Sequence, residues 1–244
     1  MPGSPFKRVF AAGLFMAGLV GFAPTVTAQT GFQPTPPYWG GVYVGGYAGY
    51  GWGKNSANES GANIYNGAGN SWAYNVEGLL GGARVGYDWE STGLILGIEA
   101  GLGYLGVEGD GADPASGGLD TVSILASGPY GELTGRIGFA QEQMLYYMKG
   151  GAAFADLDLA VVDSCTAAPC GPGSINAGND GIETGWVAGL GIGYALTQQL
   201  SVNIEYEHIR FDSLTVTGTS GGLPYSWDQD MKINTVTVGA AFRF

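Results

Sequence analysis

The chain has 244 residues, enough for one domain and too few for two comfortable ones. Charged residues make up only 12% of it, about half the usual share for a cytosolic domain, and the net charge of −12 gives nucleic-acid binding no electrostatic basis. Glycine is abundant at 46 residues, yet so are Val, Ile, Leu and aromatics, which excludes a disordered chain and favours β-structure with closely approaching backbones.

The N-terminus reads as a cleavable secretory signal peptide over residues 1–28. Lys7 and Arg8 form its basic region, residues 9–22 are uncharged and mostly apolar, and Val26-Thr27-Ala28 supplies a small-residue cleavage site. The apolar stretch is short of the roughly 20 residues that a helical membrane anchor needs. Cleavage removes two cations and no acid, so the mature charge moves from −12 to −14. Residues 29–38 then read as a short periplasmic segment and 39–244 as the folded domain.

Eight strands follow in order, near 40–53, 76–90, 94–106, 128–140, 144–156, 184–196, 199–211 and 232–244, each marked by period-two alternation. Short links at 91–93, 141–143 and 197–198 alternate with four long connections rich in Gly, Asn, Ser and Asp. That sorting of loops predicts an all-β fold, an eight-stranded antiparallel up-and-down transmembrane β-barrel with short periplasmic turns and long outer loops. One set of alternate residues is uncharged, for example Leu94, Leu96, Ile98, Ala100, Leu102 and Tyr104, with aromatics towards the strand ends. The other set mixes glycine with Arg84, Asp88, Glu99, Glu132, Arg136, Lys149, Glu205, Glu207 and Arg243. Arg or Lys facing hydrocarbon costs up to about 2–4 kcal/mol, so these residues are expected to line the lumen as a charge network. A soluble lipocalin-like barrel has the faces exchanged and needs an outer face dotted with Lys and Glu, which this polar set does not supply.

The chain closes on alternating apolar residues that end in Phe242-Arg243-Phe244. With Trp39-Gly40-Gly41-Val42-Tyr43-Val44-Gly45-Gly46, Gly135-Arg136-Ile137-Gly138-Phe139, Tyr147-Met148-Lys149-Gly150-Gly151-Ala152-Ala153 and Thr184-Gly185-Trp186, this ending resembles the alphaproteobacterial outer-membrane surface antigens of the 25–31 kDa class, whose barrel is OmpA-like. The resemblance implies a cell outer membrane location in a Gram-negative envelope. It implies contact with outer-membrane lipid and lipopolysaccharide, and recognition of Phe242 and Phe244 by the barrel-assembly machinery. Gly193 and Ala241 stand where the family often places polar lumen residues.

Other signals are weaker. Gly101-Leu102-Gly103-Tyr104-Leu105-Gly106 spells a dinucleotide motif but lacks the following helix that would receive a pyrophosphate. His208 is the only histidine and has no companion ligands at metal spacing, so no catalytic, metal or cofactor residues are assigned. Cys165 and Cys170 bracket a short turn and form a candidate disulfide in an oxidising compartment. Acids at Glu108, Asp110, Asp113, Asp120, Asp163, Asp180, Glu183, Asp212, Asp228 and Asp230 are expected in the long loops as a hydrated surface. The functional expectation is a non-enzymatic, surface-exposed protein of envelope integrity. A small porin-like channel, or loop-mediated capture of an unidentified extracellular ligand such as haem, are the alternatives.

Overall fold

The computed structural model describes residues 38–66, 70–116, 120–166 and 173–244. The expected signal peptide and residues 29–37 lie outside them, as does Cys170. Among the described residues nine strands run β1 (Gly41–Glu59), β2 (Ser71–Ser91), β3 (Leu94–Ala112), β4 (Thr121–Gln141), β5 (Met144–Asp163), β6 (Ile175–Ala195), β7 (Leu200–Phe211), β8 (Leu214–Ser220) and β9 (Leu223–Arg243). Every pairing is antiparallel and β1 pairs with β9, so the sheet closes on itself and leaves no long unpaired edge. β7 and β8 both lie between β6 and β9, one above the other. They form a single stave interrupted at Asp212-Ser213, and the barrel therefore has eight staves.

The expected strand ends at the short turns agree with the structure to within two residues. At the other end the strands run on. β4 begins at Thr121 and β6 at Ile175, seven and nine residues earlier than alternation suggested. The fourth long connection is not a loop, because β8 and β9 form a hairpin around Gly221-Gly222. Both glycines have positive φ, 57° and 81°, the backbone that a two-residue hairpin turn of matching twist requires.

The outward residues of β3 from Leu94 to Tyr104 are all exposed and uncharged. Ten steps at about 3.4 Å, tilted about 40°, rise roughly 26 Å, the height of the apolar band on outer-membrane barrels. Above that band the two faces exchange character. Outward positions become polar, with Glu77 on β2, Glu108 and Asp110 on β3, and Asp156 and Asp158 on β5. Inward positions become apolar, with Trp72, Tyr74 and Val76 on β2 and Leu157, Leu159 and Val161 on β5. Where long loops were expected, the barrel continues past the membrane as a water-facing cylinder with an apolar core. The same extension places Glu108, Asp110, Asp163, Asp180, Glu183, Asp228 and Asp230 on strands rather than in loops.

Because Ile98 sits mid-band and 54% exposed, Ile98→Lys is expected to cost about 2–4 kcal/mol in lipid vesicles, read as a lowered urea midpoint. Ile98→Leu should leave the midpoint in place.

Candidate functional site

The barrel interior is stacked in three layers. At the short-turn end, Trp39 packs with Ile95, Leu145, Tyr147 and Ala195. Its backbone N–H donates to Glu90 Oε2, which holds the entering chain across the barrel mouth. The indole occupies the space beside Gly193, where a Cβ would come within 3.4 Å of the ring. Trp39 thus fills the lumen at this end as an aromatic plug. Sequence reading missed Trp39 as a lumen residue, since it precedes the first strand.

The middle layer gathers Arg84, Asp88, Glu99, Glu132, Arg136, Lys149, Glu205, Glu207 and Arg243, all buried. Lys149 is its hub, with Nζ at 2.6 Å from Glu207, 2.8 Å from Glu132, 3.2 Å from Glu99 and 3.5 Å from Glu205. Arg84 pairs with Glu205 at 2.5 Å and lies 3.6 Å from Glu99. Arg136 grips Asp88 with two donors, and Arg243 reaches the same carboxylate at 2.9 Å. Bidentate guanidinium–carboxylate contacts fix geometry as well as charge. Five carboxylates face four cations here, so the layer is nearly balanced.

Tyrosines complete the layer, and the sequence reading did not single them out. Tyr43 donates to Glu99 at 2.7 Å, Tyr130 to Glu132 at 3.1 Å, and Tyr147 to Glu205. Arg84 lies 4.5 Å over the Tyr47 ring, and Arg136 lies 4.5 Å over Tyr43 and 5.2 Å over Tyr147. Glycine makes this possible. Gly86 is the register partner of Tyr43 and Gly191 of Tyr147, and at either one a Cβ would clash with the opposing phenol. Each tyrosine lies flat against bare backbone and offers its face to an arginine. The detectable signal was the pairing of inward Tyr with cross-strand Gly, legible only once the register is known.

The upper layer is the apolar core of the extension. It includes Leu80, Leu105, Val107, Leu125, Val187, Ile209 and Ile233, capped by Tyr225 and Trp227. Tyr65 arrives from the first loop and stacks edge-on at 5.2 Å from Tyr225 and 6.0 Å from Trp227. Burial pushes its phenol above the ordinary range, and Asp163 adds to the shift. A polar ring sits inside this layer, where Asn55 donates to Tyr74 at 2.7 Å and Ser123 to Gln229 at 3.2 Å. Asp113 is buried beneath Asn66, which bridges it to Thr121. Between the lower and middle layers a cavity of about 20 Å³ remains, the space of about one water.

Outside the lumen, Phe242 and Phe244 face outward with rings 5.2 Å apart. His208 lies on the outer wall against Trp186 and Asn234. Gly101–Gly106 lies within β3, where no helix follows to receive a phosphate. Cys165 is not a free thiol, and its proposed partner Cys170 falls outside the described residues. Among the described residues, no group of three or more His, Cys, Asp or Glu is placed to hold a metal ion.

The family model described as the outer membrane protein beta-barrel domain matches residues 16–244. The 25 kDa outer-membrane immunogenic protein of Brucella canis is 26% identical over 208 residues, covering 84% of this chain and 80% of its own length. The 31 kDa outer-membrane immunogenic protein of Brucella melitensis is 25% identical over 228 residues, with 91% and 88% covered. Among solved structures, the outer membrane protein OprG from Pseudomonas aeruginosa aligns at 10% identity and a TM-score of 0.49, over 84% of this chain and 98% of that one.

Proposed function

The chain belongs to the outer membrane protein beta-barrel domain family and resides in the outer membrane, and from that premise we propose that its work there is structural. It serves as a rigid, non-catalytic and non-conducting element of the envelope wall that presents its extended end to the exterior. The observation that carries this reading is the sealed lumen. The Trp39 plug below and the apolar core above flank the charged layer on both sides, which supports a lumen filled by side chains. Closure leaves no open sheet edge in a medium without water, and the ion pairs brace the wall from within. Water-filled channels belong to barrels of many more strands.

The alternative of a small pore is tested in planar bilayers. The purified barrel is expected to give no stepped conductance above the lipid baseline. Steady openings whose size changes in Glu132→Gln or Arg136→Gln would replace the structural reading with a channel.

Assembly is part of the same proposal. Phe242 and Phe244, exposed at the end of the last strand, are offered to the assembly machinery before the β1–β9 seam closes.

A further inference from the structure

After residue 28 the sequence holds seven Lys and Arg residues against 21 Asp and Glu, a net charge of −14 for that segment. Four of them, Arg84, Arg136, Lys149 and Arg243, are buried in the lumen. The remaining three, Lys54, Arg210 and Lys232, are exposed on the outer wall, and register places them side by side. Arg210 on β7 is the cross-strand partner of Lys232 on β9, and Lys232 is the partner of Lys54 on β1. Neighbouring partners stand about 5 Å apart, so the three cations form one row.

The height of the row is as informative as its charge. Moving outward from the short-turn end along the lipid-facing residues of each stave, the first charge met is Lys54 on β1, Lys232 on β9 and Arg210 on β7. Immediately below them are Trp52, Asn234 and His208, with Tyr206 beneath, the aromatic edge of the apolar band. On four of the other five staves the first charge is negative: Glu77 on β2, Glu108 on β3, Asp156 on β5 and Asp180 on β6. β4 presents none. The rim at headgroup level is therefore split into a basic arc of three contiguous staves and an acidic remainder.

Like charges set directly across strands from one another destabilise a sheet, and for cations a bound anion would offset that repulsion. Among the described residues Arg210 alone of the three has such a partner, Asp230 at 3.7 Å, and neither Lys54 nor Lys232 reaches a carboxylate. We infer that this arc is a binding site for the phosphorylated headgroup of an outer-leaflet lipid, whose acyl chains lie along the apolar wall below Trp52 and Tyr206. The inference rests on the outer-membrane reading, with the extended end outside. Under it, the row stands at the depth of lipid phosphates, and the acidic arc turns the same lipids away from the rest of the rim.

The test titrates the detergent-solubilised barrel with bisphosphorylated lipid A, and with the same lipid after removal of its phosphates, counting bound lipid by native mass spectrometry. The phosphorylated lipid is expected to bind the native barrel far more tightly. Each cation near an anionic lipid surface is worth about fivefold, so Lys54→Gln/Arg210→Gln/Lys232→Gln should weaken binding on the order of a hundredfold. Lys54→Arg/Lys232→Arg should retain it, as should Glu77→Gln/Glu108→Gln on the opposite wall. Band shift between unboiled and boiled samples verifies that each variant is folded. Equal binding of the two lipids, an unchanged triple variant, or displacement by inorganic phosphate at equal concentration would each overturn the lipid assignment. Those outcomes leave the barrel inserted, whereas failure of the native chain to enter phosphatidylcholine vesicles would remove the outer-membrane reading itself.

Discussion

Lys149→Met is expected to destabilise the inserted barrel by about 3–5 kcal/mol, the usual penalty for removing one partner from a buried ionic cluster. Four carboxylates lie within 3.5 Å of this one ammonium, more than around any other cation in the lumen. Methionine fills a similar volume and supplies no charge, so the carboxylates are left facing one another without water. The loss is read as a drop in the urea midpoint of the unboiled-to-boiled band shift in lipid vesicles. A second change separates electrostatics from packing. Adding Glu207→Gln, which removes the nearest carboxylate charge, should restore part of the midpoint, and the two changes should be strongly non-additive. An unchanged midpoint in Lys149→Met would mean that the lumen is open to water and ions at that level.

Trp227→Ala is expected to cost about 3–5 kcal/mol, the range for emptying a large aromatic site that cannot collapse. The side chain is 1% exposed and meets Tyr65 across the upper core. Had residues 223–231 been a hydrated loop, the same substitution would fall within about 0.5 kcal/mol of neutral. Limited proteolysis adds a spatial readout: new cleavage in the variant is expected first within residues 212–231, while the membrane band stays protected.

The two substitutions probe layers that differed greatly in how visible they were from sequence. The membrane band was legible because two strong constraints coincide there. Hydrocarbon forbids charge on one face, and the pleat sends every second residue to the other, so Glu99 and Arg136 had only one direction available. Above the membrane that constraint disappears, since water accepts Glu108 and Asp156 outside and apolar packing accepts Val107 and Leu157 inside. The period of two persists across the boundary and only the identities of the faces exchange. A stretch such as Leu214-Thr-Val-Thr-Gly-Thr-Ser220 still alternates, and Gly221-Gly222 is a strong hairpin signal, yet the surrounding Gly, Ser and Asp made the segment resemble a loop. Trp39 and the tyrosine–glycine contacts were hidden for a different reason. They depend on which residues oppose each other across staves, and register follows from closure of the whole barrel rather than from any one strand. The basic arc is of the same kind: Lys54, Arg210 and Lys232 are far apart in sequence and become one feature only through the β7–β9 and β9–β1 seams.

Depth-resolved tryptophan quenching tests the central division between a lipid-facing wall and a sealed interior. Single-tryptophan barrels retaining Trp89, which is 54% exposed on the outer wall, or Trp227, which is 1% exposed within the upper core, are inserted into vesicles carrying brominated acyl chains. Trp89 is predicted to be quenched strongly by the brominated chains, and Trp227 to be indifferent both to them and to iodide in the water. Iodide quenching of Trp227 at the level of a free indole, together with a Trp89 blind to brominated lipid, would contradict the account.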